Sequence, residues 1–196
     1  MTDRLNTVRA LTTVALLALL TLPSCRGKQH EKESSATAAA AGQAVYENTG
    51  ARLNLTHPTT WTKLQFGEQG TKALVAFLSP PDENGERQHL AFDVRKLTPD
   101  QQSTTAEKLK DATIAEAKTV FPKFELISSE KTSLGGHEAY RTVYTAGTER
   151  NTGRIMQVLA LANGNAYSAT YTARSEPGFK RSLAQAEAII ASAKIE

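Results

Sequence analysis

Four strand-like runs crowd the second half of this chain, Lys123 to Glu130, Gly136 to Ala146, Arg154 to Ala162 and Ala166 to Ala173. Their links carry turn residues, Leu134-Gly135-Gly136, Asn151-Thr152-Gly153 and Asn163-Gly164-Asn165, of the kind that accept left-handed backbone. Links this short reverse the chain but cannot carry it back across a sheet, so neighbouring strands must pair antiparallel.

The first half adds strands of the same kind. Leu53 and Leu55 alternate with Arg52, Asn54 and Thr56 until Pro58 stops the ladder, and Trp61 and Leu64 continue the apolar face. Lys72 to Leu78 is apolar on both faces, which predicts a central strand covered on each side. The turn Pro80-Pro81-Asp82-Glu83-Asn84-Gly85 returns it as a hairpin through Gln88 to Leu97, with Leu90, Phe92 and Val94 inward. Thr104 and Glu107 form a capping-box pattern opening a helix to about Val120, with Ala106, Leu109, Ile114, Ala117 and Val120 on one arc. A second helix, about Gly178 to Lys194, lines up Phe179, Leu183, Ala186, Ile190 and Ala193. The expected class is therefore α+β: an antiparallel β-sheet with helices on both faces, a three-layer α/β/α sandwich.

Ahead of this domain, Arg4 and Arg9 precede an apolar run from Ala10 to Leu22, too short for the roughly 20 residues that span a bilayer. Residues 1–24 read as a signal peptide. The run ends in Leu22-Pro23-Ser24-Cys25, which resembles a bacterial lipobox, although Pro23 departs from its usual small or β-branched residue. By that resemblance Cys25 is lipidated and holds the protein on a membrane, in the bacterial cell envelope and facing outside the cytoplasm. Residues 25–44 contain no large apolar side chain and read as a flexible tether, leaving residues 45–196 as one globular domain.

Composition narrows the function. The chain has 23 Lys and Arg against 20 Asp and Glu, a formal net charge of +3, which is no basic stripe for nucleic acid. A lone Cys excludes a disulfide framework and thiolate-rich metal sites.

Several pieces resemble the PsbP-like domains: Gly50-x-x-Leu53-x-Leu55-x-x-Pro58-x-x-Trp61, Leu134-Gly135-Gly136-x-x-Ala139-Tyr140, and Gly164-x-Ala166-Tyr167-x-x-x-Tyr171-Thr172 leading to Ala188-Ile189-Ile190-x-Ser192-x-Lys194-Ile195. That family includes an extrinsic photosystem II protein, bacterial lipoproteins of the DcrB and LpqN types and a Ran-binding import factor. The resemblance, over about Val45 to Ile195, implies a sheet with helices on both faces and a binding or assembly role without a shared reaction.

Reactive motifs are few. His30, His57, His89 and His137 have no metal-ligand spacing, and Asp82-x-Asn84-x-Glu86 lacks the Gly that a calcium loop needs at its sixth place, Arg87. There is no Gly-x-Ser-x-Gly, phosphate loop or dinucleotide fingerprint. Trp61 reads as a core plug, Tyr140, Tyr144, Tyr167 and Tyr171 as half-buried strand residues, and His57 as a hydrogen-bonded core histidine. The most polar constellation is His89, Asp93 and Arg95, alternating along one strand face. The expectation is a membrane-anchored, non-enzymatic lipoprotein with no metal and no cofactor that binds or assembles an unknown protein or small-ligand partner, not nucleic acid. The alternative is a lipoprotein that captures a small ligand or lipid in a cavity between sheet and helix.

Overall fold

Two of the three short links, Leu134-Gly135-Gly136 and Asn163-Gly164-Asn165, fold into tight reversals, while Asn151-Thr152-Gly153 is the paired start of a strand and the reversal falls before it. The computed structural model describes residues 41–66, 73–149 and 151–196. The signal segment 1–24, Cys25, His30, the tether as far as residue 40, and Lys72 lie outside the described residues. Strands β6 (Lys123–Leu134), β7 (His137–Thr148), β8 (Asn151–Ala162) and β9 (Asn165–Ala173) form an antiparallel meander. Gly135 and Gly136 turn between β6 and β7 at φ +60° and +86°, and Asn163 and Gly164 between β8 and β9 at +50° and +72°. Strand β9 then pairs with β5 (His89–Lys96), β5 with β4 (Ala73–Leu78), and β4 with β3 (Thr62–Gln65), all antiparallel, giving the order β3-β4-β5-β9-β8-β7-β6.

The three-layer α/β/α sandwich is not what forms. The chain is mostly β, with ten strands in two antiparallel sheets and only two α-helices among the described residues. A second sheet, β1-β2-β10, joins β1 (Gln43–Asn48), β2 (Leu53–Pro58) and β10 (Lys194–Ile195). Helix α2 (Glu176–Ala191) and this small sheet together cover one face of the large one: Tyr46, Leu53, Leu55 and Ile195 share a core with Phe77, Phe92, Tyr171, Phe179 and Ile189. The physical reason for the difference is non-local. Alternation at Leu53 to Thr56 marks a strand, but its partners are two residues at the far end of the chain and a strand that begins at Gln43, inside the segment read as tether.

The opposite face carries α1 (Ala106–Val120), which covers a smaller cluster of Leu97, Leu109, Leu159 and Ala166. Its N-cap is Thr105, whose hydroxyl accepts from the Lys108 N–H at 3.2 Å, one residue later than the capping-box pattern suggests. Ala106, Leu109 and Ala117 are buried as predicted, but Thr113 takes a buried place and Val120 is 47% exposed. Ser175 caps α2 by accepting from the Gly178 N–H at 3.2 Å.

Candidate functional site

Because strand side chains alternate, β9 offers the two faces of the large sheet in one sequence. Tyr167, Ala169, Tyr171 and Ala173 enter the α2 core, and Ser168, Thr170 and Thr172 point to the α1 side. The β5–β9 register sets His89 opposite Thr172, Ala91 opposite Thr170, Asp93 opposite Ser168 and Arg95 opposite Ala166. The three polar residues singled out from the sequence thus stand on one face, all half-buried, beside a parallel row of hydroxyls. Gln157 of β8 extends the row: it lies opposite Thr170, and its side-chain amide donates to Ser168 at 3.3 Å and to Thr170 at 3.4 Å. Thr142 lies opposite Gln157, and its hydroxyl meets that of Ser129 at 3.4 Å. A polar row therefore crosses this face from β5 to β6, half-buried at β5 and β9 and buried at Gln157 and Thr142.

The hydroxyls of the strip were missed in the sequence. The signal was present, since Ser168, Thr170 and Thr172 alternate with aromatic and small apolar residues, but only the register aligns them with His89 and Asp93. Burial holds the His89 pKa below the ordinary histidine value, and the nearby Arg174 charge adds to the effect. The spacing along β5 is equally informative. At about 3.3 Å per residue, His89 and Asp93 are separated by roughly 13 Å of strand, and His89 and Arg95 by roughly 20 Å. These groups line a surface rather than converge on one atom.

Other singled-out residues have structural places. Trp61 is 2% exposed and its indole N–H donates to Gln185 Oε1 at 3.0 Å, as a core plug should. His57 is buried, with Nδ1 3.0 Å from the Pro58 carbonyl and its ring 4.6 Å from that of Phe77. Burial lowers its pKa, the Pro58 carbonyl opposes this, and Lys63 adds a smaller lowering. Tyr144, Tyr167 and Tyr171 are buried outright rather than half-buried, because each faces a helix or the small sheet. Tyr167 donates to the Ala51 carbonyl at 3.0 Å and Tyr171 to that of Phe179 at 2.9 Å; burial pushes the Tyr144 hydroxyl up to about 12. Tyr140 stays half-buried, with the Lys110 amine 4.9 Å from its ring centroid.

Asp82 accepts the N–H groups of Asn84 at 2.9 Å and Glu86 at 2.8 Å and is ion-paired to Arg181 of α2. Its carboxylate closes a turn and clamps the β4–β5 loop to the helix, which accounts for the Asp-x-Asn-x-Glu pattern. Among the described residues no three His, Cys, Asp or Glu side chains gather as a metal site, and no helix is long and apolar enough to cross a membrane.

No protein-family profile and no curated protein sequence matches the chain. Solved structures do. It is similar to cyanobacterial PsbP (CyanoP) from Synechocystis, with a TM-score of 0.60 at 15% identity over 84% of this chain and 98% of that one. It is similar to LpqN of Mycobacterium tuberculosis, described as involved in cell envelope biogenesis, with a TM-score of 0.55 at 14% identity over 72% of this chain and 82% of that one. It is also similar to the Ran-binding protein Mog1p of Saccharomyces cerevisiae, with a TM-score of 0.54 at 7% identity over 78% of this chain and 95% of that one. The fold is PsbP-like.

Proposed function

We propose that this protein is a membrane-anchored, non-enzymatic lipoprotein of the bacterial cell envelope, facing outside the cytoplasm, that binds or assembles a partner through the polar strip on the α1 side of its large sheet. The observation that carries this reading is the layout of His89, Asp93 and Arg95. They are half-buried on one strand face, aligned with Ser168, Thr170 and Thr172, and spread over roughly 20 Å. Acid–base or nucleophilic catalysis needs its groups within hydrogen-bond reach of one reacting centre, whereas a row of donors and acceptors suits an extended contact. The fold adds support from proteins of similar shape, LpqN, described as involved in cell envelope biogenesis, and Mog1p, a Ran-binding protein. The anchor rests on Leu22-Pro23-Ser24-Cys25.

Core packing argues against the cavity reading. Phe179 lies 5.1 Å from the Tyr171 ring, and Ile189 and Ile190 are buried in the same cluster, so side chains occupy the space between sheet and α2. Cys25→Ala should abolish fatty-acid labelling and release the protein from membranes; labelling that persists contradicts the anchor. A hydrolase screen of the purified protein should show no turnover. Turnover that vanishes when His89, Asp93 and Arg95 are all changed to Ala would make the strip an active site.

A further inference from the structure

The large sheet ends in two unlike edges. Strand β3 has four residues, while β6 has twelve, most of them exposed, with one side unpaired in the sheet order. A long open edge is a template for another strand. At the middle of β6, Leu126 is 41% and Ile127 is 43% exposed, and Val120, at the end of the helix packed over this edge, is 47% exposed. Ile127 is also the extra residue of a β-bulge, since Leu126 pairs with Tyr144 and Ser128 with the adjacent Val143.

The bulge decides how β6 can meet a second copy of itself. Two strands related by a two-fold axis pair residues whose side chains share a face of the sheet. In a regular strand such residues are an even number of positions apart. Across Ile127 the faces shift by one, so odd separations match instead. Lys123, Glu125, Ser128 and Glu130 pair with Gly147, Thr145, Val143 and Arg141 on one face, while Phe124, Leu126 and Ser129 pair with Ala146, Tyr144 and Thr142 on the other. Two face-matched registers can be centred at the bulge. In one, Glu125 meets Glu130 of the other copy, twice, with like charges. In the other, Lys123 meets Glu130, Phe124 meets Ser129, Glu125 meets Ser128, and Leu126 meets Ile127 at the axis. Opposite charges then flank an apolar centre on both sides. The backbone follows the same parity, so groups pointing away from β7 on one copy face groups of the same kind on the other.

We propose that β6 is a homodimerisation edge, pairing antiparallel with β6 of a second copy in the register Lys123–Glu130, Leu126–Ile127, to form one continuous fourteen-stranded sheet. Within each chain Lys123 already pairs with Glu149 at 3.1 Å and Glu130 with Arg141 at 2.9 Å, yet both keep more than half of their side-chain surface exposed. The new contacts would join these pairs into one network across the axis.

Charge reversal tests the register. Sedimentation of the detergent-solubilised full chain over a concentration series should show a monomer–dimer equilibrium. Lys123→Glu or Glu130→Lys alone should weaken it about tenfold or more, because two attractive pairs become repulsive. The double variant Lys123→Glu/Glu130→Lys should return to within about threefold of the parent. The two positions are roughly 20 Å apart within one strand, so rescue reports contact between copies and not repair inside one chain. Leu126→Lys should also abolish the dimer with the thermal melt retained. A monomer at every concentration, single reversals without effect, or a double variant no tighter than either single overturns the proposal.

Discussion

The two faces of the seven-stranded sheet are built from the same strands and have different chemistry. On the α2 side, Met156, Val158 and Ala160 of β8 meet Tyr171, Ala169 and Tyr167 of β9, all buried, under Phe179 and Ile189. One residue along in either strand, Gln157, Ser168 and Thr170 stand on the other face with hydrogen bonds of 3.3 to 3.4 Å among themselves, beside half-buried Asp93 and His89. The first face holds the fold, with tyrosine hydroxyls tied to backbone carbonyls. The second is covered only in part, by α1 over Leu159 and Ala166, and its polar groups are held in weaker and longer bonds. The contrast shows where this protein can vary its surface without losing its shape.

Breaking the α2 side should have the largest effect. Removing Phe179 to Glu196 strips cover from one face and also removes β10 from the small sheet, so the truncated chain should be insoluble; a soluble truncation with a cooperative melt would show that face to be self-supporting. Within the intact chain, Phe179→Ala should cost about 3–5 kcal/mol by denaturant titration, a large part of a total of about 5–15 kcal/mol. On the α1 side Leu109→Ala should cost less, about 2 kcal/mol, because its cluster is small. Equal losses at the two positions would erase the distinction between the faces.

Much of the meander was legible because its signals are local. The turns at Gly135-Gly136 and Asn163-Gly164, the two-sided apolar strand at Ala73 to Leu78 and most of the helix stripes depend on neighbours in the chain and appear in the structure, whereas Asn151-Thr152-Gly153 opens strand β8 instead of turning and Val120 leaves its stripe for solvent. The second sheet was not legible. Lys194 and Ile195 pair with Asn54 and Leu53 across the length of the domain, and a two-residue strand has no periodicity to read. The same limit governs the candidate site. His89, Asp93 and Arg95 stand out by alternation within one strand, while Ser168, Thr170 and Gln157 join them only through register.

Acid acts on both faces through one histidine from each side. Burial holds His57, in the α2 core, and His89, on the strip, below the ordinary histidine value. Between that lowered value and about pH 6.5 the unfolded chain binds more protons than the folded one. Stability is therefore full above about pH 6.5 and falls as the pH drops below it, with a slope of at most one proton per histidine. Asp82 and Glu176, held below the usual carboxylate range by Arg181 and by Lys180 with Arg154, lose their contributions only at lower pH. Urea midpoints at pH 7.5 and 5.5 should differ in this direction, and His57→Leu should reduce the difference; stability that rises on acidification contradicts the burial argument.

The smallest effect on stability should come from the strip. Changing His89, Asp93 and Arg95 together to Ala should shift stability by no more than about 1–2 kcal/mol, since exposed and half-exposed polar substitutions away from the core are mild.

That same variant shows whether the polar face carries binding. A photo-crosslinking side chain at Thr172, on the strip, and another at Asn54, on the small sheet, can be compared in the full chain in its native membrane. A discrete adduct is expected from position 172 that disappears in the His89/Asp93/Arg95→Ala background, and none from position 54. An adduct from position 54 alone, or one from position 172 that survives the triple change, would contradict the assignment of binding to the polar face.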